Sequence, residues 1–283
     1  MGYIILGVLL FSFSNVLWKK NLRYSNVPFL VTYRAFFTSS ISFFIILLFY
    51  SIQQLTVLNI LKITAGSLFG VIGLFSMLNV IKKESLQWVG IYNLMGIVFT
   101  SLYLWLFEKI NISETLIGIS IIILGFIFYV VSSLKSKIKI TLKQHIILLI
   151  MSLSFTISAL IHWKNLTNQI APVFIIANQE LIVFTVGLGF TLKSNKKVEI
   201  IRLIKSQFNN IVIMSAVILL ALLCNFLGLK IMNPLISGLV FLASPLTTIL
   251  FSSFFFKEQI SIKNWISISI ISIGSFIIYL QTS

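Results

Sequence analysis

The chain contains no aspartate, and its six acidic residues are all glutamate. That absence excludes paired-aspartate catalysis and most carboxylate cages for metal ions. Charge of either sign is scarce, at 10 % of 283 residues, where a soluble domain carries about 25 %. The single cysteine, Cys224, rules out an intrachain disulfide and reads as a small buried hydrophobe. Two histidines with no acid at ligand spacing offer no metal site. No Walker A sequence is present, so the chain does not hydrolyse ATP. A membrane enzyme would need clustered nucleophiles, acids or metal ligands. The expectation is therefore a protein that is not an enzyme and needs no cofactor or metal.

What is present is apolar. Hydrophobic residues make up 58 % of the chain, with 26 Phe and 5 Trp, and the mean hydropathy is +1.07. The apolar runs are helical in length, unlike the alternating ten-residue segments of an outer-membrane barrel. About 20 apolar residues cross a hydrocarbon core of about 30 Å. Ten such runs can be placed, at 2–18, 29–50, 57–80, 87–107, 114–134, 144–163, 172–192, 210–229, 234–256 and 262–280. The N-terminal run lacks a basic leader and a small-residue cleavage site, so it reads as a retained helix. The longest polar stretch, Lys193 to Gln207, reads as a partly helical interfacial connector. Pro245 lies inside the ninth run, where it removes a backbone hydrogen bond and bends the helix.

The chain repeats itself. Lys20-Asn21-Leu22 followed by Pro28 recurs as Lys164-Asn165-Leu166 followed by Pro172. Glu108 and Tyr129 recur as Glu258 and Tyr279. The fold class that follows is an all-α integral membrane protein with ten transmembrane helices. Residues 1–140 and 141–283 form two five-helix repeats. Five is odd, so the second repeat enters the membrane from the opposite side, the inverted arrangement that permits alternating access.

The net charge of +15 does not indicate nucleic acid, because the basic residues lie in short loops between apolar runs. Counting Lys and Arg by side gives 16 opposite the N-terminus and four beside it, with Arg34 inside a helix. The positive-inside rule then puts both termini outside the cytoplasm of a cell membrane, inner or plasma, crossed many times.

These features together resemble the EamA-type transporters of the drug/metabolite transporter superfamily. In the first half the resemblance rests on Lys19 or Lys20, Pro28, Arg34, Glu108 and Gly125. In the second it rests on Pro245, Glu258 and Gly274. Met95 stands where a first-half proline would be, and Phe11-Ser12 where Trp-Gly is usual. Many members have cytoplasmic termini, the reverse of the charge count here. The resemblance implies a secondary transporter, typically an exporter of small metabolites such as amino acids or drugs. A flippase or accessory subunit for a lipid-linked substrate shares the architecture and is the alternative. The expected partners are a small-molecule substrate, the lipid bilayer and, on one reading of Glu180, protons. Two fused halves suffice as a monomer, with a homodimer as the alternative.

Candidate residues follow from polarity inside apolar runs. Arg34 lies about 9 Å into the second span. It either snorkels to the interface or anchors a substrate carboxylate or phosphate. Glu180 is the one acid deep in an apolar run, and is either a proton carrier or half of a static pair, with Arg34 a possible partner. Glu108 and Glu258, at equivalent hairpin tips, read as fold-level turn residues. The candidate cavity set is Asn15, Trp18, Arg34, Asn79, Tyr92, Asn93, His162, Asn178, Gln179 and Asn225, with Ser14 and Trp163 beside it. Interhelical hydrogen bonding competes as the role of the amides. Interfacial anchoring competes for Trp18, Trp163 and His162, and the position of His162 near a helix end suggests a solvated group. Gly66, Gly70 and Gly73 form a small-residue face on the third span, and Gly187 and Gly189 a candidate hinge.

Overall fold

The computed structural model describes residues 2–50, 56–82, 86–108, 116–134, 141–193, 197–231, 243–257 and 261–282. They form ten helices: α1 (Gly2–Leu22), α2 (Val27–Phe49), α3 (Val57–Ile81), α4 (Leu86–Phe107), α5 (Leu116–Leu134), α6 (Leu142–Thr167), α7 (Pro172–Lys193), α8 (Lys197–Ile231), α9 (Ala243–Phe256) and α10 (Ile262–Thr282). Among the described residues six of these, α1 to α3 and α6 to α8, are long and apolar enough to cross a membrane. The other four carry shorter apolar stretches.

The repeated Lys-Asn-Leu…Pro motif marks helix ends. At the start of α2 the Asn26 side chain accepts the Phe29 N–H at 2.9 Å. Pro28 occupies the first turn, where a missing N–H breaks no helical bond. In the second repeat α6 begins with a capping box of Thr141 and Gln144. It ends in a tight turn in which Gln169 adopts φ 63° and the Ile170 N–H reaches the Asn165 carbonyl at 3.1 Å. Both motif asparagines are buried, and the Asn21 amide donates to the Leu17 carbonyl at 2.8 Å.

Several boundaries differ from the sequence reading. α1 and α6 each run four residues further than expected, through the Lys-Asn-Leu motif. The connector after Lys193 is helical from Lys197 and continuous with the eighth span. Between Lys197 and Gly228 there is no glycine or proline to break it. The described part of the ninth span begins at Ala243, so Pro245 stands in the first turn of its described helix, and the preceding residues against which it would bend lie outside the described residues. Glu258 lies outside them as well.

Packing follows the repeat. The most extensive contacts are α3 with α6, α2 with α7, α5 with α10 and α1 with α8. Exchanging each helix for its counterpart five places on turns α3·α6 into α8·α1 and leaves α2·α7 and α5·α10 unchanged. The smaller pairs α4·α6 and α9·α1, and α3·α7 and α8·α2, exchange in the same way. The counterparts α2 and α7 run antiparallel: Tyr50 meets Phe174 at one end, and Thr32 meets Thr191 at the other. Close approach depends on small residues. Gly66 and Gly73 of α3 leave room for the rings of His162 and Phe155 on α6. Gly187, a hinge candidate, lies against Thr32 of α2, where a Cβ would sit 2.7 Å from Thr32 Oγ1. Gly189 faces open space. The outer face is apolar, with Phe44, Leu47, Phe49 and Phe254 exposed.

Candidate functional site

Arg34 lies on α2 and Glu180 on α7, 1 % and 2 % exposed, and they form an ion pair. The α2–α7 packing described above brings them together. The guanidinium also sits over the Trp18 ring, 5.6 Å from its centroid. The Arg34 carbonyl accepts the Ser215 hydroxyl at 3.1 Å and the Thr38 hydroxyl at 3.0 Å, tying α2 to α8. The snorkelling alternative for Arg34 is therefore overturned: its head points into the bundle. A buried pair of this kind is costly to split, because the remaining charge has no water to turn to.

Around the pair lies a cavity of about 330 Å³ lined by α1 to α4 and α6 to α8. Eight of the sequence candidates reach it: Asn15, Trp18, Arg34, Asn93, His162, Gln179, Glu180 and Asn225, with Ser14 beside them. Trp18 and His162 occupy the same repeat position, one in each half, and neither is an interfacial anchor or a solvated group, at 2 % and 1 % exposure. His162 packs edge-on against Phe226, with ring centroids 5.4 Å apart. Both of its ring nitrogens lack a hydrogen-bond partner among the described residues.

Three candidates lie elsewhere. Asn79 is exposed on the outside of α3, on the opposite face from Met77. Tyr92 is buried at the α4–α6 contact, where its hydroxyl meets His145 Nδ1 at 2.5 Å. Asn178 is used internally, accepting from Ser67 at 3.2 Å and donating to Thr64 at 3.3 Å. Trp163 packs half-buried against the apolar core. The sequence reading missed Ser152, Phe155 and Thr156 of α6 and Gly70, Leu74 and Met77 of α3, all of which line the cavity. The signal was available for α6: Ser152, Phe155, Thr156, Ala159 and His162 recur at helical spacing and share one face.

The two ends of the bundle are held differently. Beside the end of α4, Glu108 accepts from Lys164 of α6 at 2.8 Å. Lys164 also lies over the Tyr103 ring at 5.6 Å. The Lys164 hydrogen bond holds the Glu108 carboxyl below its usual value. At the opposite end, Lys19 and Arg23 of α1 lie over the Phe256 ring of α9, at 5.3 and 5.1 Å. Among the described residues no three His, Cys, Asp or Glu side chains gather to hold a metal ion.

Comparison with known proteins places this arrangement. The sequence profile of the EamA-like transporter family matches residues 1–131 and again residues 142–280. No curated protein matches the chain in sequence. A solved structure described as "Crystal structure of protein" shares the fold with a TM-score of 0.68. The match covers 99 % of this chain and 96 % of that one at 12 % identity, a likeness of fold alone.

Proposed function

The chain belongs to the EamA-like transporter family, and from that premise we propose that it is a secondary transporter that exports a small solute by alternating access. The observation that carries this reading is the central cavity, whose lining ion pair, Arg34–Glu180, takes one residue from each repeat. The apolar outer face suits a lipid bilayer, and the polar groups face inward, as a pathway for a soluble substrate requires. The loop charges favour a cell membrane with both termini outside.

The cycle follows from the pair's position. α2 and α7 are counterparts in the two repeats, so any rocking of one half against the other moves Arg34 relative to Glu180. Protonation of Glu180 removes the attraction and lowers the barrier to that motion. A proton taken up on one side and released on the other would thereby be coupled to the change of access. A monomer contains every part of this cycle.

The test is uptake and efflux of labelled amino acids, sugars, nucleobases and drug-like solutes in reconstituted vesicles, with and without a pH gradient. Flux that depends on the gradient in the native protein and loses that dependence in Glu180→Gln is expected. Flux with unchanged pH dependence in Glu180→Gln removes the proton from the cycle, and a folded protein with no flux or exchange removes the transport reading itself.

A further inference from the structure

The cavity offers more hydrogen bonding than the protein uses. Asn93 on α4, Gln179 on α7 and Asn225 on α8 all line it. None of the three amides has a hydrogen-bond partner among the described residues. The neighbouring Asn178, which points away from the cavity, is satisfied at both its oxygen and its nitrogen. Each free carboxamide presents an acceptor and two donors side by side. In an apolar bundle such groups are costly to leave unmatched. Space is also kept for a partner. A Cβ on Gly70 would lie 3.2 Å from Ser158 Oγ and 3.7 Å from Gln179 Nε2, so the glycine leaves the Gln179 amide open.

Two further observations narrow what fits. The formal charges on the cavity wall, Arg34 and Glu180, cancel each other. While the pair is intact, a solute with net charge would therefore be desolvated without a counter-ion. Phe11 and Phe155, both partly buried, give the cavity flat apolar walls. A volume of about 330 Å³ suits a small ligand, at the low end of the range of about 300–1,000 Å³ for ligand pockets.

We propose that the solute is an uncharged planar heterocycle with adjacent donor and acceptor groups on its edge, the chemical class of a nucleobase or nucleoside. Asn and Gln side chains pair with such edges through two parallel hydrogen bonds, as they do with adenine. The aromatic walls hold the face of the ring while the amides read its edge. This identification rests on the transporter reading and specifies its substrate class.

The test is counterflow exchange in reconstituted vesicles with labelled uracil, adenine and inosine, set against leucine, glutamate and adenosine monophosphate. Exchange of the uncharged heterocycles, and rejection of the monophosphate, is expected. Gln179→Leu and Asn225→Leu should each lower heterocycle exchange at sub-saturating concentration about tenfold, the loss of about one well-made hydrogen-bonded contact. A variant that does not fold leaves a second measurement: thermal stabilisation of the native protein by uracil or inosine and none by the monophosphate. Exchange of leucine or glutamate with the heterocycles inert overturns the substrate class and leaves the transporter reading standing. No exchange of any of the six by a folded protein overturns both.

Discussion

At the scale of single residues, charge inside an apolar run was the legible signal, and it led to Arg34 and Glu180. Their partnership was not legible, because sequence gives each residue's depth along its own helix but not the rotation of one helix against another. The same limit explains why Asn93 reaches the cavity while Asn79 lies outside: both are asparagines in apolar spans, and only the face differs. The pair makes a specific prediction. Arg34→Met or Glu180→Leu alone leaves a buried charge unmatched and should cost about 3–5 kcal/mol of stability. The double substitution should recover most of that loss, read by thermal unfolding in detergent, and a strictly additive loss would show that the two groups are not coupled. Glu108 gives a pH prediction at the bundle end. Its carboxyl is held below its usual value by Lys164. The pair's contribution is therefore present above the ordinary carboxylate range and lost as pH falls through the lowered value. Acidification should raise the rate at which a membrane-impermeant thiol reagent entering from the Glu108 end labels a cysteine placed at cavity residue Ala159, and Glu108→Gln should show the raised rate at every pH.

At the scale of elements, the helices themselves were plain from apolar run length, and so was the repeat that orders them. Their ends were less so. α8 extends back to Lys197 because a polar connector without glycine or proline continues a helix as readily as an apolar one. α1 and α6 run on through Lys-Asn-Leu because the asparagine is buried inside the helix end instead of starting a loop. The small-residue face of α3 was legible, but its partner was not. The structure supplies it as α6, with Gly66 against His162 and Gly73 against Phe155. A Cβ at Gly66 would lie 2.7 Å from His162 Cε1, so Gly66→Leu should force α3 and α6 apart. The expected cost is about 1–3 kcal/mol, read as a lowered unfolding temperature. An unchanged temperature would mean the contact is not close.

At the scale of the whole molecule, the odd number of helices per repeat implied inversion, and the antiparallel run of α2 against α7 is what an inverted repeat requires. The interior was less legible. A cavity emerges from how seven helices splay around one ion pair, and no single stretch of sequence encodes it. The direct measurement is thiol accessibility of the cavity from each side. Ala159 lines the cavity, and Ala159→Cys in a Cys224→Ala background gives one reactive site there. Glu108→Cys with Lys164→Cys adds a pair for a bifunctional thiol reagent to bridge across one end, where the longer native side chains meet at 2.8 Å. Alternating access predicts that a membrane-impermeant thiol reagent reaches residue 159 from both sides of the vesicle. Cross-linking 108 to 164 before labelling should then abolish entry from that end and preserve entry from the other. A cavity reached from one side alone, whether or not the cross-link is made, would contradict alternating access.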